Sequence, residues 1–264
     1  MKRVFILILA LIGVSNARSA VSVNDDDSIL AVGAGVSAPS ETDAIADNPA
    51  GFALNRRTKI LGAASAEDKS FNPFSATGRL VSGNGTTGGA VGIHTHKVGH
   101  EDRLTLDYGL AAYSDSFKSM IGIGGSTALH KGDRPFNDSN LINLGMLSNP
   151  YGSTRVGAGL IGILGGVDYY TFGATTDMGG GTVFSLDSSC NTHFDGRTIE
   201  PAFGYRGQSL SFEAGYGFRI DTRADSYIRK GFTAGLSLPF SKDFSVQGVY
   251  NHHSKYYVSL TASF

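Results

Sequence analysis

The chain has 264 residues, 41% of them hydrophobic and 17% charged, with 36 glycines, no tryptophan and one cysteine. A net charge of −1 without a basic block excludes a nucleic-acid binder. One cysteine excludes a disulfide scaffold, and past the N-terminus no apolar run approaches the roughly 18–20 residues a spanning helix needs.

The first residues read as a targeting segment. Lys2 and Arg3 precede an apolar run over 4–14, and Ser15-Asn16-Ala17 supplies a small-x-small cleavage site. A second cut falls after Ser19 or Ala20. No cysteine follows the run, so a lipid anchor is not expected. Removing residues 1–17 takes away Lys2 and Arg3, leaving 20 basic residues against 23 acids, a net of −3. Residues 18–56 then form an N-terminal segment ahead of the main body, 57–264.

From residue 57 onward the chain alternates. Leu210, Phe212, Ala214, Tyr216, Phe218 and Ile220 face opposite Ser211, Glu213, Gly215, Gly217 and Arg219. Phe232, Ala234, Leu236, Leu238 and Phe240 repeat the pattern, as do Leu104, Leu106, Tyr108 and Leu110. A period of two means strands. The pattern predicts about fourteen, with twelve as the lower count, over 57–66, 73–82, 87–96, 103–113, 117–129, 140–148, 154–164, 167–177, 181–188, 197–206, 208–220, 231–240, 243–252 and 256–264.

Alternation also fits a soluble sandwich, so further features decide. Even-numbered connections are short, such as Gly83-Asn84-Gly85-Thr86, Ser114-Asp115-Ser116 and Met178-Gly179-Gly180. Most odd-numbered ones are longer and polar, notably 130–139, 189–196 and 221–230; Gly165-Gly166 is an exception. Barrels of the outer membrane have short periplasmic turns, longer outer loops and an even strand number. The last strand ends the chain, with Tyr256, Val258, Leu260, Ala262 and Phe264 on one face. An ending on Tyr256, Val258, Leu260 and Phe264 looks like the signal read by a barrel-assembly machinery. The expected fold is an all-β transmembrane antiparallel barrel, in contact with outer-membrane lipid and lipopolysaccharide of a Gram-negative cell. Tyr169, Tyr170, Tyr205, Tyr250, Tyr256 and Tyr257 are the candidates for interfacial girdles.

On the small, polar face lie Arg103, Asp107, Glu200, Arg206, Glu213 and Arg219, expected to line the lumen. There they either tune the passage of polar solutes or fill a closed interior. His94 and His96 share a face, His100 follows, and His252 and His253 lie elsewhere. Metal binding needs about three converging ligands, so no metal or other cofactor is expected. An Asp107 and His94 pair is conceivable on neighbouring strands, but no serine sits in a nucleophile context and no catalytic residue is assigned. The glycine runs Gly122-x-Gly124-Gly125 and Gly179-Gly180-Gly181 lack the Gly-Lys-Ser/Thr of a phosphate loop and suit bends and close packing.

The N-terminal segment carries Gly33-Ala34-Gly35, then Asp43-Ala44-Ile45-Ala46-Asp47-Asn48-Pro49-Ala50-Gly51-Phe52-Ala53. Over 31–54 this resembles the N-terminal signature of FadL-like outer-membrane barrels, a superfamily that includes fatty-acid transporters and PorV-like and TraF-like proteins. The resemblance implies a plug on the periplasmic side of the barrel, carried by Asp43, Asp47, Asn48, Pro49, Ala50 and Gly51. It also implies transport of a small hydrophobic or amphipathic ligand, or else a plugged structural barrel that works through protein partners. The short, polar outer loops depart from the fatty-acid transporters, whose large loops form an apolar groove.

Overall fold

The computed structural model describes residues 35–37, 39, 44, 48–67, 72–98, 101–131, 140–164, 167–194, 197–207, 209–220, 231–241, 243–251 and 255–264. The targeting segment, Asp43, Asp47, His100, His252, His253 and the connections 132–139 and 221–230 lie outside them.

Fourteen strands form, one for each predicted segment: β1 Lys59–Glu67, β2 Asn72–Gly83, β3 Thr87–Val98, β4 Glu101–Ser114, β5 Ser119–Lys131, β6 Asn140–Ser148 and β7 Thr154–Ile161. They continue as β8 Tyr169–Gly179, β9 Thr182–Asn191, β10 Arg197–Arg206, β11 Ser211–Arg219, β12 Gly231–Pro239, β13 Phe244–Asn251 and β14 Lys255–Ser263. Each strand pairs antiparallel with its sequence neighbours. β1 pairs with β14 from Lys59 against Ser263 to Glu67 against Lys255, closing the sheet. Phe264 adds a last bond, its N–H donating to the Thr58 carbonyl at 2.8 Å.

The ladders fix which residues share a face. One face, presented outward, carries Ile60, Leu80, Val91, Ile93, Leu110, Ile121, Val156, Phe172, Leu186, Phe203, Phe218 and Leu236, all exposed. The other holds Ser65, Ser75, Thr77, Arg79, Asp107, Asn143, Thr171, Thr175 and Asp187, all buried. The arrangement is apolar outside and polar inside, the inverse of a water-soluble protein and the pattern of a transmembrane barrel. Tyr256, Val258, Leu260 and Phe264 are all on the outward face, with Phe264 72% exposed.

Two expectations change. Of the girdle tyrosines, Tyr170, Tyr205, Tyr250 and Tyr256 share the outward face. Tyr169 lies on the inward face opposite Ile161, and Tyr257 holds an inward register position opposite Val249. Adjacent residues in a strand must point to opposite sides, so neither pair could have placed both rings outward. The Gly165-Gly166 exception also disappears. β7 ends at Ile161 and β8 starts at Tyr169, so this connection spans residues 162–168 and is among the longer ones. It folds back on the barrel rim: Gly162 N–H donates to Asn143 Oδ1 at 3.0 Å, and Ile163 N–H to the Ile142 carbonyl at 2.9 Å.

The even-numbered turns are tight for local reasons. In the β2–β3 turn, the Asn84 carboxamide oxygen accepts from the N–H groups of Thr86 and Thr87, and Gly85 takes a left-handed φ of 88°. In the β8–β9 turn, Gly179, Gly180 and Gly181 all have positive φ, which a side chain would resist. Glycine run and tight turn are therefore one feature.

Leu236 lies mid-strand on the outward face, so Leu236→Arg should cost about 2–4 kcal/mol at the bilayer midplane. Gln247→Arg, on the wet face of the next strand, should stay near wild type. Denaturant titration in lipid vesicles reads the difference.

Candidate functional site

The described part of the N-terminal segment lies inside the barrel, at the end carrying the short turns. Pro49–Leu54 forms a 3-10 helix capped by Asn48, whose Oδ1 accepts the Ala50 N–H at 3.1 Å. Proline suits the first helical position because no N–H is needed there. The Asn48 amide also donates twice, to the Val36 carbonyl at 2.7 Å and to the Met146 carbonyl of β6 at 2.9 Å. One fully buried side chain thus caps the helix, holds the upstream chain and binds the wall. Gly51 leaves room for Pro39 and Ala44, whose side-chain atoms sit 2.8 and 2.9 Å from where its Cβ would be.

The foot of this plug is apolar. Ala44, Ala50, Phe52 and Ala53 pack with Val81, Ala111, Met120 and Leu147 of the wall, with Leu54, Ala90 and Tyr113 at the edge. Phe52, Met120 and Leu147 are fully buried. The segment leaves through a clasp at the rim. Gly85 N–H donates to the Asn55 carbonyl at 2.8 Å, the Tyr151 hydroxyl donates to the Gly85 carbonyl, and the Arg56 guanidinium lies 5.8 Å from the Tyr151 ring centroid.

The wall beneath the plug is a track of glycines on the inward face. A Cβ on Gly88 would strike the Phe52 carbonyl, on Gly109 the Phe52 ring, and on Gly122 the backbone of Pro49 and Ala50. On Gly145 it would strike the Asn48 carboxamide, and on Gly157 the Val36 carbonyl. The plug backbone therefore lies directly on the sheet, as a belt climbing from β3 to β7.

The described belt reaches a second polar anchor. Asp187 of β9 accepts the Val36 N–H at 3.2 Å and the Ser37 hydroxyl at 2.9 Å, and Ser37 Oγ lies 2.7 Å from Thr175 Oγ1 of β8. Asp187 is 7% exposed, and its oxygens occupy the space a side chain on Gly35 or Gly173 would need.

Further up the same wall, Arg79 and Asp107 form a buried ion pair at 2.8 Å. They sit on β2 and β4, with Gly92 of β3 between them in register, so the guanidinium crosses over a residue without a side chain. His94 Nδ1 lies 2.6 Å from Thr77 Oγ1. The conceivable Asp107 and His94 pair is thus replaced by Asp107 with Arg79 and His94 with Thr77. Among the described residues no cluster that could hold a metal forms. At the opposite rim, burial pushes the Asp168 carboxyl above its usual range.

The ladder puts Glu200, Arg206 and Glu213 on the same face as Asp107, with Glu200 opposite Asp187 and Glu213 opposite Gly204. Arg103 and Arg219 hold inward register positions, opposite His96 and Thr198. Of the expected plug residues, Asn48, Pro49, Ala50 and Gly51 are in the seat just described; Asp43 and Asp47 are outside the described residues. Sequence reasoning missed Arg79, Asp187 and the glycine track. Arg79 was legible, since it shares parity with Thr77 and Val81. Asp187 was not, because its partners lie about 150 positions away.

No protein-family model matches the chain, and no curated protein sequence matches it. Solved structures do. The Acinetobacter baumannii outer membrane protein Omp33 is similar with a TM-score of 0.53 at 12% identity, covering 80% of this chain and 99% of that one. A structure described as the CymD monoaromatic hydrocarbon channel is similar with a TM-score of 0.53 at 12% identity, covering 88% of this chain and 97% of that one. At such identity the likeness is one of fold: the chain has the fold of outer-membrane barrels.

Two outcomes follow from the seat. Gly88→Ala and Gly109→Ala should each destabilise by about 1–3 kcal/mol through overpacking. Only the second should be relieved by Phe52→Ala, because a ring can be removed and a backbone carbonyl cannot. Separately, Arg79→Met should cost on the order of 3 kcal/mol by leaving Asp107 buried without its ion-pair partner, and adding Asp107→Asn should recover much of it. Chemical denaturation of the refolded protein in micelles, followed by circular dichroism, measures both.

Proposed function

We propose that this chain is an outer-membrane channel or transporter of a Gram-negative cell, with an N-terminal plug that occupies part of its lumen. The observation that carries the reading is the belt itself. A channel needs a wet interior and an element that limits access, and the belt is such an element, seated against one side of a polar lumen. The fold likeness to outer-membrane barrels supports the location. In this reading residues 1–17 direct export, the C-terminal strand ending at Phe264 is what the assembly machinery engages, and lipid and lipopolysaccharide surround the outward face.

The expected hydrophobic or amphipathic solute draws support from the N-terminal resemblance to FadL-like barrels. The described lumen gives it little: Val81, Ala111, Met120 and Leu147 are spent on seating the plug, and the other buried inward apolar side chains, such as Leu61, Ile161, Val183 and Val249, stand on separate strands. The alternative, a closed barrel acting through protein partners, draws support from how firmly the belt is held, by Asn48, Asp187 and a buried phenylalanine.

Planar-bilayer conductance separates the two. The mature protein should conduct, and removing residues 21–55 should raise the conductance. A milder variant, Asn48→Ala with Asp187→Ala, should raise it in the same direction while the barrel keeps its heat-dependent shift on a gel. Folded protein that conducts in none of these forms would sink the channel reading and favour the partner-bound one.

A further inference from the structure

The described part of the belt lies on the wall of β2 to β9. On that wall Thr77, Asn143, Thr171, Thr175 and Asp187 are buried. Across the lumen, Glu200, Glu213, Thr233, Ser237 and Gln247 share the inward face of β10–β13 and are only half-buried. Between them stand Gly215 and Gly235, also half-buried. Glu200 is drawn along the wall: its Oε1 lies 3.2 Å from where a Cβ of Gly215 would be. The wall there is thin, and Thr233, Ser237 and Gln247 on it are less buried than the residues beneath the described belt.

We infer that the solute path runs between the belt and the β10–β13 wall, and that it carries small hydrophilic solutes of sugar size. The inference rests on the channel reading above and names its route and substrate class. An apolar solute gains about 25 cal/mol per Å² only where the wall it meets is apolar. Among the described inward residues of β10–β13, Ala202, Pro239 and Val249 are the apolar side chains larger than glycine. The hydroxyls of Thr233 and Ser237 and the amide of Gln247 stand on this face with glycines, carboxylates and the Arg206 guanidinium, and such groups replace the hydrogen bonds a polar solute gives up on leaving water. Thr233 and Gln247 therefore narrow the path directly, while Thr175 lies beneath the belt and does not.

The test uses the mature protein with Cys190→Ser, carrying Thr233→Cys, Gln247→Cys or Thr175→Cys, in a planar bilayer. The probe is a membrane-impermeant trimethylammonium methanethiosulfonate. Modification at 233 or 247 should lower the conductance stepwise, and the variant at 175 should not respond. Conducting protein that ignores modification at 233 and 247 overturns the route and leaves the channel reading standing. Absence of current from every folded form overturns both. For the solute class, liposome swelling should be faster with arabinose than with sucrose, and no faster with 3-O-methylglucose than with glucose. Faster entry of the methylated sugar overturns the hydrophilic assignment.

Discussion

A backbone amide in a bilayer has no water to bond to, and this one constraint governs the rest of the structure. Each strand must find partners on both sides, so the sheet has to close, and it closes through the β1–β14 ladder. Closure forces the two faces apart in character. Side chains of one parity meet lipid and are Ile, Leu, Val, Phe and Tyr; those of the other meet the lumen and are mostly Gly, Ser, Thr and charged residues. An even number of strands brings the start of β1 and the end of β14 to the same rim, where Phe264 bonds to Thr58.

Fourteen strands enclose more space than inward side chains of this size can fill. The chain answers with its own N-terminal segment, whose described part lies on one side. A central cork would need large side chains reaching in from every strand. A belt instead needs a wall with nothing on it, which is what Gly88, Gly109, Gly122, Gly145 and Gly157 provide. Polar anchors then fix its position: Asn48 near the foot, Asp187 at the far end. The ion pair of Arg79 and Asp107 follows the same economy of space, crossing over Gly92. Such a pair is stable in this setting because each charge has a partner within 3 Å and neither faces lipid.

The fold was legible in the sequence because a barrel is written in short-range signals. Alternation fixes the faces, Asn84-Gly85 and Gly179-Gly180-Gly181 fix the turns, and all fourteen segments became strands. The misleading signals are also local. Tyr169-Tyr170 and Tyr256-Tyr257 look like units although strand geometry divides them, and Gly165-Gly166 looks like a whole connection when it is the middle of one. The site was less legible for a different reason. Arg103, Asp107, Glu200, Arg206, Glu213 and Arg219 could be given a face from parity, but not partners. Asp187 meets Val36 and Ser37 from the other end of the chain, and no local pattern announces that. Glycine is harder still: its meaning at Gly88 or Gly145 lies in what rests against it.

The glycine track also carries an instruction about order in time. Once the β1–β14 seam is formed, the inner wall is enclosed, and a segment that must lie flush on five glycines has to enter through the end of a finished cylinder. Laying it down while the sheet is still an open, curling surface meets no such obstacle. Its N-terminal position suits that sequence of events, since the belt emerges before any strand. The belt would then act as a former around which β2 to β9 curl, with the seam completed last by the strand that ends at Phe264.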